Sequence, residues 1–297
     1  MEKKFQLSCE STVDMPFSYV DERDISVIFY SYLVDGKEYV DDMGRDENAL
    51  PQFYQHIEEG KIPQTSQINQ YRYTEYFDEL LQKGDVLHIA FGSGMTPSVR
   101  NAQAAAEELM EKYPDRKIVV IDSMCSSSGY GLLVDYAADM RDGGASIGEI
   151  TDWVTTHRQT VHHQFFSVDL KYFKRSGRMS GPVATIASVL GICPLMRLNS
   201  LGKIIAYDKV RGRKKAIRET VAVMEEHAEN GKDYCGKCFI SHSNCLDDAL
   251  AAKESIVEEF PNLKADDVKI FDIGTIIASH SGPGTVAVFF LGDERPE

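Results

Sequence analysis

Along the first half of the chain, short apolar runs end in polar or glycine-bearing turns, and each turn leads into residues with the 3.6-residue apolar period of a helix. Residues 5–9 predict a strand running into the polar turn Glu10-Ser11-Thr12-Val13-Asp14. The β-branched and aromatic run 25–34 predicts a second strand, and Asp35-Gly36 supplies a hairpin turn before residues 37–40. A helix follows over 48–59 with Gly60 as its stop, then a loop carrying Thr65, then a helix over 73–82. Strand 85–91, the Ser93 loop and helix 99–112 repeat the pattern, as do strand 117–121, the turn Asp122-Ser123 and helix 131–140. Such recurrence predicts an α/β domain with a largely parallel sheet. Ligands of these sheets bind beyond the carboxyl ends of the strands, where Ser11, Thr12, Ser93 and Ser123 fall.

The second half has a different rhythm. A helix over 147–161 leads to a strand over 165–168 and a basic turn over 174–178. Residues 182–190 read as a buried helix, and 194–198 with 203–207 flank the hairpin turn Asn199-Ser200-Leu201-Gly202. A long helix over 214–229, strand 238–241, helix 247–259 and strands 268–271 and 285–291 complete an α+β domain with antiparallel strands. The division is placed at residues 1–162 and 163–297. The fold class is therefore α/β, in two domains.

Length and composition fit a cored globular chain: 297 residues, 43% hydrophobic. Its start lacks the apolar run of a secretory signal, and no stretch approaches the ~20 apolar residues that span a bilayer. Six scattered cysteines do not read as a disulfide framework. A cytoplasmic location is expected. A net charge of −14 argues against nucleic-acid binding. The charge is uneven, however, because residues 169–218 carry 12 Lys/Arg against 2 Asp/Glu. That basic island is either solvated surface or a docking face for an anion: a phosphate, an acidic partner, or a lipid headgroup met in transient contact with a membrane surface.

Three distant stretches share one chemistry: Thr65-Ser66-Gln67, Gly92-Ser93-Gly94 and His280-Ser281-Gly282-Pro283-Gly284. Brought together, their hydroxyls, imidazole and backbone N–H groups would make a cup of neutral donors for a carboxylate or phosphate. Cys235, Cys238, His242 and Cys245 have a superficial metal or redox spacing, but Cys238 opens a strand instead of a metal knuckle. No metal and no cofactor are expected. His162, His163 and His88 read as surface or core residues. A hydrolase reading would join Ser93, His280 and Asp122, although Ala90-Phe91-Gly92-Ser93-Gly94 lacks the glycine spacing of a nucleophile elbow.

Seven motifs in order resemble those of the DegV family of bacterial lipid-binding proteins: Ser11-Thr12-Val13-Asp14, Pro63-Gln64-Thr65-Ser66-Gln67, Gly92-Ser93-Gly94-Met95, Val120-Ile121-Asp122-Ser123, the stretch from Leu170 to Gly177 and Arg178, Val210-Arg211-Gly212, and His280-Ser281-Gly282-Pro283-Gly284. The resemblance spans essentially the whole chain. It implies two domains enclosing a long-chain fatty acid, which is presented to an ATP-dependent fatty acid kinase for conversion to acyl phosphate. By that resemblance Thr65 and Ser93 hydrogen-bond the carboxylate with His280 close by, and Arg178 and Arg211 meet the kinase or the transferred phosphate. Ser66, Gly94 and Ser123 complete the candidate headgroup set. The chain would then be a carrier, not itself a catalyst; the alternative is an acyl-ester hydrolase using Ser93 and His280. Where the family usually has aspartate, Ser-Gly-Thr and proline, this chain has Glu10, Thr96-Pro97-Ser98 and Ile68. A ~16-carbon tail would gain about 12 kcal/mol on burial before ordering costs. Val183, Ile186, Val189, Leu190, Ile192 and Leu195 are candidates to line it, and an ordinary core explains them equally well.

Overall fold

The computed structural model describes residues 5–180 and 191–297. In the first half the strands are β1 (Phe5–Glu10), β2 (Ile25–Ile28), β3 (Ser31–Val34), β4 (Lys37–Val40), β5 (Gln64–Ser66), β6 (Asp85–Ala90) and β7 (Ile118–Asp122). Four of them form a parallel sheet in the order β2-β1-β6-β7. Val86 to Ala90 are all buried, as expected for a parallel strand covered on both faces. One covering helix, Ser98–Lys112, turns Val99, Ala102, Ala105, Ala106 and Leu109 inward at helical spacing.

The apolar run 25–34 is not one strand. It leaves the parallel sheet after Ile28 and enters a second, antiparallel sheet at Ser31, in the order β4-β3-β5. At the crossing the Tyr30 N–H donates to Ser11 Oγ at 3.2 Å, and the Tyr30 carbonyl accepts from the Asp41 N–H at 3.0 Å. Side-chain chemistry is continuous through this segment, so periodicity cannot reveal the switch. Thr65, expected in a loop, lies in β5 opposite Tyr32.

The second half contributes β8 (Val161–Ser167), β9 (Met179–Ser180), β10 (Ile192–Leu198), β11 (Ile204–Arg211), β12 (Cys238–His242), β13 (Val268–Asp272) and β14 (Thr285–Leu291). They form one sheet in the order β13-β12-β14-β8-β10-β11-β9. Its interior pairings are antiparallel, as expected, but both edges are parallel: β12 with β13, and β11 with β9. The helix expected over 147–161 stops at His157, because Val161 pairs with Leu291 in the sheet. For that reason we propose the division between the halves ahead of β8, a little before residue 162. The expected basic turn is mostly the helix Lys171–Ser176, which Gly177 ends in the left-handed region at φ 66°. The helix expected over 182–190, with Val183, Ile186, Val189 and Leu190, lies outside the described residues.

Helix Ser127–Asp142 joins the halves. Its Ser127 hydroxyl contacts both Asp14 and Ser241, and its buried Asp135 is held by Arg23 at 2.6 Å from one side and by Lys237 from the other. No described helix is long and apolar enough to cross a membrane.

Candidate functional site

Thr65 and His280, separated by 215 positions in sequence, meet with Oγ1 and Nε2 2.9 Å apart. β5 fixes the threonine. The histidine sits in the last turn of helix Thr275–Ser281, whose first residue is pinned by Asp41 Oδ1 accepting from both the Thr275 N–H (3.1 Å) and its hydroxyl (2.8 Å). A helix therefore aims His280, and Gly282 ends that helix.

The other ring nitrogen, Nδ1, is buried with no hydrogen-bond partner. The pair always keeps one donor in reserve. If Thr65 donates to Nε2, the Nδ1–H is free; if Nε2–H donates to Thr65, the threonine hydroxyl is free. Both groups line a cavity of about 150 Å³ together with Ser66, Gln67, Thr96, Ser126 and Arg178. A smaller cavity of about 50 Å³, walled by Phe165, Leu198, Ile273, Ala287 and Phe289, shares Ser126, Phe173, Ile204, Ile277 and Ser281 with the first. Donors thus stand at one end of a space whose continuation is apolar.

The remaining expected residues are distributed differently. Ser66 is exposed on the rim. Ser93 is exposed and does not line the cavity; its N–H donates to Asp122 Oδ1 at 3.0 Å. Ser123 is buried in a local turn, its Oγ accepting from the Cys125 N–H at 3.1 Å. Gly94 acts through packing: a Cβ there would stand 2.2 Å from the Gly202 carbonyl oxygen, so its lack of a side chain lets the loop close against the β10–β11 hairpin. His280 Nε2 meets Thr65 and lines the cavity while Ser93 does not, so the Ser93–His280–Asp122 arrangement of a hydrolase is not formed among the described residues. Ile192 and Leu195 pack in β10 without lining either cavity.

Gln67, from the first donor stretch, lines the cavity, and so do Thr96 and Ser126, which sequence reasoning missed as donors. Thr96 is buried, and its Oγ1 accepts from the Ser98 N–H at 3.3 Å, which leaves its own hydroxyl hydrogen for a ligand. A hydroxyl two residues before a helix-opening serine was the available signal. Ser126 is oriented by donating its N–H to His163 Nε2 at 3.0 Å.

Arg178 is exposed at the cavity mouth, its guanidinium held by the Ser176 carbonyl at 2.6 Å. Arg211 is exposed at the far end of β11 from the cavity-lining Ile204, roughly 20 Å along the strand. The two arginines therefore do not share a site. Cys235, Cys238, His242 and Cys245 form no ligand cluster among the described residues. A larger open groove of about 1200 Å³ runs past Asp14, Asp41, Asp42, Asp46 and Asp272, and that acidic wall is unsuited to an anionic headgroup.

Burial, reinforced by the nearby charges of Arg178 and Arg175, lowers the His280 pKa from 6.5 to about 4, so the imidazole is neutral at neutral pH. Between those values the unfolded chain binds more protons than the folded one. The stability owed to His280 is thus fully present above pH 6.5 and is lost as pH falls toward 4. Burial shifts Asp14 upward, and Asp41 to about 6, which acts in the opposite sense. The test is therefore a difference: unfolding free energies of the wild type and of His280→Gln, measured from neutral pH to pH 4. Wild type should lose stability relative to the variant across that window, and a pH-independent difference would refute the neutral, buried imidazole.

A family model described as uncharacterised protein, DegV family, matches residues 4–293. A DegV domain-containing protein of Clostridium perfringens is 38% identical over 295 residues, covering 99% of both chains. A fatty acid binding DegV family protein from Streptococcus agalactiae superposes with a TM-score of 0.81 at 25% identity, covering 98% of this chain and 99% of the other. The Streptococcus pneumoniae Fatty Acid Kinase B3 protein loaded with linoleic acid gives 0.83 at 20% identity over 98% and 100%.

Proposed function

The chain belongs to the DegV family, and from that premise we propose that it binds one long-chain fatty acid, carboxylate toward Thr65, Thr96 and His280 and tail in the apolar continuation, and presents it to an ATP-dependent fatty acid kinase. The observation that carries this reading is the Thr65–His280 pair, which keeps an unused donor at the head of a space that turns apolar. Neutral donors suit the task. They hold a carboxylate by charge-assisted hydrogen bonds without locking both oxygens in a bidentate arginine pair, so one oxygen stays available to attack a phosphoryl group. In this role the chain carries the reacting group and the kinase supplies the catalysis. The solved relatives support this choice of ligand, since proteins of the same fold are described as fatty acid binding and one as a fatty acid kinase B3 protein.

Arg178, exposed at the mouth, is the residue best placed to meet the transferred phosphate or an acidic kinase surface. Protein purified from a bacterial host should show a fatty acid mass increment by native mass spectrometry. With a cognate kinase, Arg178→Ala should retain that increment yet form acyl phosphate more slowly, and added salt should reproduce part of the loss in the wild type. Absence of any bound acid rejects the ligand assignment. Full phosphorylation by the variant at every salt concentration rejects the docking role alone.

A further inference from the structure

We propose that His162, His227 and Asp293 form a binding site for a divalent transition metal of the zinc class, separate from the donor cavity. Their donor atoms all lie within 4.8 Å of one another. Asp293 Oδ1 stands 2.9 Å from His162 Nε2 and 3.1 Å from His227 Nδ1, and the Asp293 backbone carbonyl is 3.0 Å from the same His162 nitrogen. Donors bound at ~2.0–2.1 Å in a tetrahedral site are spaced about 3.3–3.4 Å apart. The two aspartate–histidine spacings are within about half an ångström of that, and the histidine nitrogens lie no more than 4.8 Å apart, so an ion could enter by drawing the two rings together.

The rings are held in place before any ion arrives. His162 is stacked between Phe290 (centroids 5.0 Å apart, 9° between planes) and His227 (5.0 Å, 21°), which turns both imidazole edges toward the aspartate. The Asp293 N–H donates to the His227 carbonyl at 3.0 Å, fixing the carboxylate over the rings. Gly292 permits this approach, because a Cβ there would lie 2.1 Å from the His227 carbonyl oxygen. A histidine that binds metal through Nε2 must carry its proton on Nδ1. Gln164 is 3.4 Å from His162 Nδ1, and turning its amide over would offer that proton an oxygen, with the Tyr207 hydroxyl next in line.

Two imidazoles and one carboxylate select a borderline-soft cation over calcium or magnesium, which prefer all-oxygen sites. The His162 side chain is 1% exposed and that of Asp293 60%, so the ion would be anchored from within and reached from solvent, with a position left for water. The site would tie β8, the segment just after β14 and helix Arg213–His227 together. The next residue of β8, His163, faces the smaller apolar cavity, so the metal would brace the strand behind the acyl tail.

The test uses tag-free, full-length protein stripped with chelator and titrated with Zn²⁺ by calorimetry and with Co²⁺ by absorption. Expected results are one ion per chain, visible cobalt d–d bands without a thiolate charge-transfer band, and a higher melting temperature with zinc. His227→Ala and Asp293→Ala, both at accessible positions, should each weaken binding by at least ~10-fold while leaving the circular dichroism spectrum unchanged. The proposal is overturned by absence of saturable uptake, by uptake that survives both substitutions, or by a cobalt–thiolate band that would put the ion on cysteine.

Discussion

Thr65→Ala and His280→Ala should each weaken fatty acid binding by about 1.5–3 kcal/mol, and the double variant should lose less than the sum of the two. The shortfall follows from the 2.9 Å contact between the two side chains. Removing one partner deprives the ligand of a charge-assisted hydrogen bond and also releases the other partner to rotate, so the second removal costs less. Ser93→Ala should bind like the wild type, because Ser93 is exposed and bonded to Asp122 through its backbone. Thr96→Val should resemble Thr65→Ala. Displacement of a fluorescent fatty acid from the five variants and the wild type checks the set. A Ser93 variant as weak as the Thr65 variant would show that the loop rearranges around the ligand and would refute this headgroup geometry.

The second large effect is on stability. Glu10→Ala should cost about 3–5 kcal/mol. The Glu10 side chain is fully buried, with Oε1 accepting from the Tyr73 hydroxyl at 2.6 Å and Oε2 from the Phe91 N–H at 3.0 Å. Deleting it leaves the buried Phe91 N–H without its acceptor and the Tyr73 hydroxyl with only Ser98 Oγ. Tyr73 also contacts Ser98 Oγ at 3.1 Å, and the Ser98 N–H in turn donates to Thr96 Oγ1, so the damage should reach the cavity loop. Glu10→Gln keeps an acceptor and should cost less. Urea unfolding of the three proteins decides it: an alanine variant within about 1 kcal/mol of wild type would mean that the network contributes little.

The parallel sheet was legible because each of its turns carries a polar or glycine punctuation that the apolar period respects. The three-stranded sheet was not. Ile25 to Val34 changes partners without changing composition, and Gln64-Thr65-Ser66 has no apolar alternation to mark it as β5. At the site, Thr65 and His280 read in the sequence as neutral donors of one cup, and the structure brings them together. Glycines on both sides of Ser93 suggest a ligand loop. Flexibility around a hydroxyl does not determine where it lies, however: Ser93 is exposed with its backbone N–H on Asp122, while the buried Thr96 lines the cavity. The roles proposed for Arg178 and Arg211 came from resemblance. Only the structure separates them, one at the mouth and one at the far end of β11.

The place of β14 in its sheet bears on how the protein is made. Translated after the other thirteen described strands, it is inserted between β12 and β8, in the interior of the seven-stranded sheet, and His280 lies in the helix just before it. On the ribosome, the β2-β1-β6-β7 sheet can assemble while synthesis continues, since its strands are complete by residue 122. The second sheet remains two unjoined sets of strands until β14 appears, and until then Thr65 has no histidine to meet. If the cavity holds the proposed fatty acid, loading waits until β14 has been made, and closing contacts of such long sequence separation is expected to be slow.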